Sequence, residues 1–503
     1  MPDSHAAPAY QQLESRFRRI ALIGEAEGVL HWDYAAIMPS GGAEARSEQL
    51  AELGAIAHGL LVAPDTRDLL DTATNEADTL DDWQVANLRE MKRRHKRASA
   101  LDEDFVTRMA RASSTSEQAW RRARAESDFS IVTQPLSTLI DMVREKADRI
   151  GTALNLAPYD ALLDAFEPGA RTASIDPVFD DLAAFLPDFL EDVLAHQARQ
   201  PAIIKPEGPF PKSAQRELGI EFMKVLGFDF RHGRLDVSHH PFCGGVPDDV
   251  RITTRYDEDD FTSALMGVLH ETGHALYSQG LPEDWRLQPV GEALGMSIHE
   301  SQSLMMEMQV CRSRRFLEFA IPKMQAAFNN PGPWWNIENM IRVYHNVDRS
   351  LIRVDADEVT YPLHIIVRYR LEQKLLAGTL DVADIPEAWN ASFADLVGTK
   401  VPDDAHGCLQ DIHWFDGMIG YFPTYTLGAM TAAQFYQAAC TQDPSIPAGI
   451  TDGDFQPLVA WLRDNIHTTG RLESAPDLLT RVTGRPLEAA PFKAHLKSRY
   501  LPD

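Results

Sequence analysis

Apolar residues recur at intervals of three and four along most of this chain, the spacing that gives an α-helix one buried face. From Tyr10 to Leu61 the pattern predicts two long amphipathic helices, interrupted near Met38-Pro39-Ser40-Gly41-Gly42, where a proline and paired glycines break the period. Further helical stretches are expected at about 82–109, 117–125 and 136–152. The proline-rich stretch 201–211 reads as a loop, and 443–456 is a second breaker-rich stretch ahead of the last helices. One segment leaves the helical period: Val250-Arg251-Ile252-Thr253-Thr254-Arg255-Tyr256 is β-branched and roughly alternating, which predicts a strand. No internal repeat or low-complexity tract accompanies these elements.

With 503 residues the chain can bury a large core, and length alone permits two or three domains. Its formal charge of −26 removes the positive face that nucleic acid or an anionic membrane needs, so neither partner is expected. The one basic run, Lys92-Arg93-Arg94-His95-Lys96-Arg97, reads as a solvated helix face. The N-terminal segment MPDSHAAPAYQQLESRFRR has no apolar run of the signal-peptide kind, and no stretch approaches the ~20 apolar residues of a membrane span. Cys243, Cys311, Cys408 and Cys440 lie far apart and form no CxxC pair. They fit reduced thiols in a cytoplasm, which sets the expected location, and make poor zinc ligands.

The candidate chemistry begins at His270-Glu271-Thr272-Gly273-His274. Asp259 or Asp260 can cap a helix there, Phe261, Leu265, Val268, Leu269 and Leu276 supply an apolar face, and Gly280 followed by Pro282 ends it. Residues four apart on a helix share a face, so the two imidazoles can reach one metal while Glu271 points aside, placed to take a proton from water. A catalytic site wants a third protein ligand, a His or a carboxylate, with one position left open. The segment from Gly291 to Phe316 reads as the helix that supplies it. Glu300 follows His274 by a span sufficient for a turn and an antiparallel return; His299 is the rival, and Glu292 and Glu307 are weaker choices. A solvated helix carboxylate is the plain alternative for Glu300.

Six short motifs in order resemble those of the carboxypeptidase Taq family of metallocarboxypeptidases. They are His240-Pro241-Phe242, Asp249-Val250-Arg251-Ile252-Thr253, the HExxH segment, His299-Glu300-Ser301-Gln302, Ile352-Arg353-Val354-Asp355-Ala356-Asp357 and GCLQDIHW at 407–414. LHWDYAAIMPSGGAEARSEQL and GYFPTYTLGAMTAAQ are also similar to family stretches, so the resemblance covers the whole chain, 1–503. It implies Glu300 as third ligand. It also implies a mainly α fold in a single large domain, with a long active-site groove and a small antiparallel sheet near the metal. The implied activity is release of single C-terminal residues with broad specificity, by a homodimer. Met305-Met306 and Phe415 depart from the family pattern, and bear on side-chain preference.

Zinc is the expected metal, with cobalt or manganese as substitutes, because two imidazoles and a carboxylate suit a tetrahedral d¹⁰ ion. An enzyme acting on peptides with a free C-terminus must hold that carboxylate, and the planar fork of an arginine suits the task. Arg353 in the fifth motif is the first choice and Arg349 the second; the plain alternative is an ion pair of Arg353 with Asp355, Asp357 or Glu358. Arg251 on the expected strand is a third, weaker choice. The tetrahedral oxyanion calls for a further donor, for which His240, His413 and Tyr421 are candidates. His413 and Asp411 could instead support the ligands from behind.

Overall fold

The computed structural model describes residues 8–502; the first seven residues of the N-terminal segment read above lie outside it. Helices α1 (Pro8–Ala36) and α2 (Ala43–Val62) pack on each other and break where Pro39 and the paired glycines predict. They lead into α3 (Pro64–Asn75) and α4 (Asp82–Ser99). The expected stretch 82–109 ends early, because Asp102 accepts the N–H of Phe105 at 2.8 Å and caps a new helix, α5 (Glu103–Glu126), which absorbs the expected segment 117–125. Next come α6 (Ser130–Leu154), α7 (Pro158–Leu163), α8 (Thr172–Gln197) and α9 (Lys212–Leu226), the last two separated by the irregular proline-rich stretch.

The basic run on α4 is not a solvated face. Arg93 bonds Glu90 at 3.1 Å and pairs with Asp164, Arg97 also reaches Asp164, and Arg94 pairs with Glu292. Glu90 and Asp164 are buried, so the cations of this run serve as counter-charges between α4 and the chain after α7.

Three strands, β1 (Gly233–Val237), β2 (Phe242–Val246) and β3 (Asp249–Thr254), form one sheet in the order β1-β3-β2. The sheet is mixed, which corrects the antiparallel expectation. β2 and β3 are joined by a tight turn and run opposite ways, but β1 pairs with the far edge of β3 in parallel, Arg234 beside Arg251. Gly245 has φ +86°, and a Cβ there would collide with the Asp249 carbonyl, so this end of the hairpin requires glycine. Both arginines lie over the ring of buried Trp32 from α1, Cζ 5.1 Å and 4.4 Å from its centre, tying the N-terminal helix to the sheet.

The helix carrying the HExxH segment, α10 (Phe261–Gly280), is capped by Asp260, which accepts the Thr262 N–H at 2.8 Å. Leu265, Leu269 and Leu276 enter the main core, while Val268 and Ala275 pack under the sheet. Instead of one helix over 291–316 there are three pieces: α11 (Met296–Leu304), a π-helical turn at Met305–Cys311, and α12 (Arg314–Phe328) capped by Ser313. Beyond them lie α13 (Ile337–Tyr344), α14 (Tyr361–Leu376), α15 (Ile385–Leu396) and α16 (Pro423–Gln442). Four more, α17 (Ile446–Asp452), α18 (Gln456–Asn465), α19 (Ala475–Thr483) and α20 (Ala489–Tyr500), complete the described chain. The main core draws side chains from Ala119 to Tyr500, and a smaller cluster around Tyr10, Phe17 and Met91 holds the N-terminal helices. No helix among the described residues is long and apolar enough to cross a membrane.

Candidate metal centre

Short glycine contacts bring three elements to one point. A Cβ on Gly273 of α10 would collide with the Gln302 carbonyl oxygen and lie 2.6 Å from Ser303 Cα, so α11 can cross the HExxH turn only because this position is bare. On the other side, a Cβ on Gly428 of α16 would lie 2.8 Å from Glu300 Cβ and Cγ. Helix α11 is therefore pressed between α10 and α16, with Glu300 aimed at the two histidines.

His274 Nε2 lies 3.3 Å from Glu300 Oε2 and His270 Nε2 lies 3.9 Å from it, with donor atoms of all three residues within 4.8 Å of one another. A tetrahedral ion with bonds of about 2.0–2.1 Å separates its ligands by about 3.4 Å, so the donor set fits one such ion. Both imidazoles are also braced from behind. His270 Nδ1 lies 2.9 Å from Glu307 Oε2, and His274 Nδ1 lies 2.6 Å from His299 Nδ1. Outward Nδ1 bonds of this kind hold metal-binding imidazoles in one orientation. His299 and Glu307, rivals to Glu300 in the sequence, thus stand behind the histidines. Glu292 is elsewhere, paired with Arg94 and Arg471.

Burial alone would lower His270, but the Glu307 bond and the facing carboxylates raise it to about 10. Burial drives His299 down to about 3, so this ring is neutral beside His274. Glu300 is held down at about 2 against its burial by His274 and His270. Burial pushes the Glu271 carboxyl above the ordinary range, and the two histidines moderate the shift. Glu271 is thus a buried carboxylate of raised proton affinity beside the donor set.

A second polar group lies beside the first. Burial, and the charge of Glu300, raise the phenol of Tyr421. The Glu300 charge also acts on Tyr361 and Tyr425. Arg353 is buried and donates Nε and Nη2 to Asp411 Oδ1 at 3.0 and 2.8 Å, while Nη1 faces the Tyr361 hydroxyl at 3.4 Å. Its counter-charge is therefore Asp411, not Asp355, Asp357 or Glu358. Fully buried Arg368 donates Nε to Asp411 Oδ2 at 2.7 Å, so two guanidinium groups share one carboxylate. His413 packs on Phe422 and brings Nε2 to 3.4 Å from the Tyr425 hydroxyl; burial lowers it to about 4. Tyr361, Tyr425 and Arg368 escaped the sequence reading. Tyr425 stands one helical turn after Tyr421, which is the signal that could have found it.

Three candidates are placed otherwise. Arg349 pairs with Glu191 on α8 and donates to the Val397 carbonyl at 2.9 Å. Arg251 is held by Asp249 in a two-oxygen pair and by Trp32. His240 is exposed, its ring edge-on to His239.

Two half-buried histidines one turn apart, a buried carboxylate from the crossing helix and a further buried glutamate, in a mainly helical frame, form a donor set of the kind a metallopeptidase uses. The description of the carboxypeptidase Taq (M32) metallopeptidase family matches residues 12–500, and the chain belongs to that family. It is 38% identical to thermostable carboxypeptidase 1 of Thermus thermophilus, with 98% of each chain covered, and 34% identical to carboxypeptidase 1 of Bacillus subtilis, with 96% of each covered. Among solved structures, metallocarboxypeptidase 1 of Trypanosoma cruzi superposes with a TM-score of 0.96 at 38% identity, covering 98% of this chain and 99% of the other. The chain is therefore a metallocarboxypeptidase: a hydrolase that depends on a divalent metal and acts on peptides.

Proposed function

We propose that this enzyme removes single residues from the C-termini of peptides with broad specificity, using zinc held by His270, His274 and Glu300 and a proton relay through Glu271. The observation that carries the reading is the buried Glu271 carboxyl, raised in proton affinity, next to a donor set sized for one ion. Zinc in that position supplies Lewis acidity toward the scissile carbonyl and acidifies water; cobalt and manganese suit the same donors. Glu271 takes the water proton and returns it to the departing amine. Glu307 and His299 hold the two imidazoles in register throughout.

Arg353 receives the substrate's α-carboxylate in this reading. Asp411 is shared with Arg368, so one positive charge in the group is left over, and Arg353 Nη1 is the arm that Asp411 does not engage. Tyr421 is the stronger oxyanion donor, because its phenol lies within the field of Glu300 whereas His240 is exposed; His413 supports it through the Tyr425 hydroxyl. The cytoplasm suits four cysteines that form no disulfide, and a single domain suits the continuous main core. The homodimer remains part of this proposal and is read by light scattering.

The test is a peptide of about eight residues offered as free acid and as amide, with products followed by mass spectrometry. A chelator-sensitive ladder losing one residue at a time from the free acid alone supports the reading. Internal or dipeptide cuts that ignore amidation remove Arg353 from its role. Glu271→Gln should keep zinc bound and lose nearly all turnover; retained turnover would end the assignment of the base.

A further inference from the structure

Glu307 orients His270, yet it stands on the π turn between α11 and α12 rather than on a regular helix. At the end of that turn the Arg312 N–H bonds the Glu307 carbonyl and the Ser313 N–H turns back to Val310. The carbonyls of Met308 and Gln309 take their donors from elsewhere: Arg499 of α20, the last helix, donates Nη1 to Met308 and Nη2 to Gln309 at 3.4 Å. Arg312 donates Nη2 to Glu307 Oε1 at 2.6 Å, so the Glu307 carboxylate divides its two oxygens between Arg312 and His270. Arg499 is itself fixed. Glu358, 4% exposed, accepts its Nη1 at 3.0 Å together with His495 Nε2 at 2.6 Å and the Tyr500 hydroxyl at 3.2 Å.

We propose that Arg499 and Arg312 are positioning residues for the metal, and that the C-terminal helix acts as a clamp: it holds the π turn, the turn holds Glu307, and Glu307 holds the ring of His270. Neither arginine touches the donor set. The inference rests on His270 being a ligand. Three features argue for it. The turn has the wide pitch that α-helices adopt at functional positions. Its end carbonyls would be buried without donors if Arg499 were removed, which frees the turn to rewind. The charges also alternate from the ligand outward: Arg312 pairs with Glu307 and Arg499 with Glu358, while Arg312 and Glu358 act on each other through space.

The experiment measures zinc affinity of the full chain by competition with a chromophoric chelator, alongside melting temperatures with and without zinc. The set is wild type, Arg499→Ala, Arg499→Lys, Glu358→Gln, His270→Ala and the control Lys497→Ala. Lys497 lies on the same helix but packs its ammonium over Phe185 on α8. Arg499→Ala should weaken zinc binding on the order of tenfold, the usual cost of losing an outer support, and excess zinc should restore most activity. Lys497→Ala should leave zinc affinity as it is. Should Arg499→Ala not fold, Arg499→Lys and Glu358→Gln must shift the affinity in the same direction. Wild-type zinc affinity in all three alongside lost binding in His270→Ala overturns the clamp and keeps the site. Unchanged affinity in His270→Ala overturns the ligand assignment itself.

Discussion

Glycine at two positions decides how Glu300 meets the histidines. Gly273 is the one poor helix former inside the HExxH segment, and its reason is external to α10: the backbone of α11 occupies the space of its side chain. At Gly428 the obstructed atoms are Cβ and Cγ of Glu300 itself. Gly428→Ala should therefore push Glu300 off the donor set, raising the zinc dissociation constant about tenfold while costing about 1–3 kcal/mol of stability from overpacking. Chelator competition and urea unfolding separate the two effects. A second residue gives a pH signature. Glu372 on α14 is fully buried, accepting the Tyr159 hydroxyl, the Trp414 indole N–H and the Gly420 N–H, and burial raises it to about 7. Between its ordinary value near 4.5 and about 7 the folded protein keeps a proton that the unfolded chain releases. Stability from this group therefore falls as pH rises through that window. Glu372→Gln should flatten the decline in melting temperature between about pH 5 and pH 8; an unchanged slope would refute the assignment. The glutamate and histidines of HExxH were legible as residues, whereas Glu372 carries no motif and owes its character to what surrounds it.

Elements with their own local signals were read correctly, and elements decided by neighbours were not. The bounds of α10 follow from Asp260, the apolar face and Pro282. The break after Ala36 likewise follows from Pro39 and two glycines. Beyond Glu300, however, the apolar spacing reads as one continuous helix, and no residue there announces a π turn. Met305 and Met306 are 0% and 1% exposed, so flexible side chains fill the core where the pitch widens. The role of Glu307 went unread for that reason, since its aim depends on the turn. Sheet topology was hidden in the same way: β3 alone has a strand pattern, and its parallel neighbour β1 was not expected. Trp32→Ala should loosen this element pair. It removes a buried indole held by Arg234 and Arg251, at a cost of about 3–5 kcal/mol. Hydrogen exchange should quicken in α1 and the sheet, while zinc affinity stays within twofold.

For the molecule as a whole, metal and stability are linked, because an ion that binds only the folded chain stabilises it. At a zinc concentration one thousand times the dissociation constant the gain is about 4 kcal/mol. Stripping the metal should lower the melting temperature, and adding zinc back should restore it. A melting temperature indifferent to chelator would mean that the donor set is not loaded. The formal charge of −26 opposes polyanionic partners electrostatically at this scale, and the basic run on α4 adds little against it, since most of its cations pair with Glu90, Asp164 and Glu292.

Periodicity, breakers and caps determined a mainly helical protein, and a five-residue spacing with one glutamate set out the candidate ligands and base, because these depend on residues within a turn or two of each other. The family motifs carried the choice of Glu300 over His299. Tertiary structure alone decided which groups stand behind the ligands, which arginine shares Asp411, and how the last helix reaches the π turn. Those relations join residues up to nearly two hundred positions apart. No local pattern encodes them; they exist only once α10, α11, α16 and α20 are packed together.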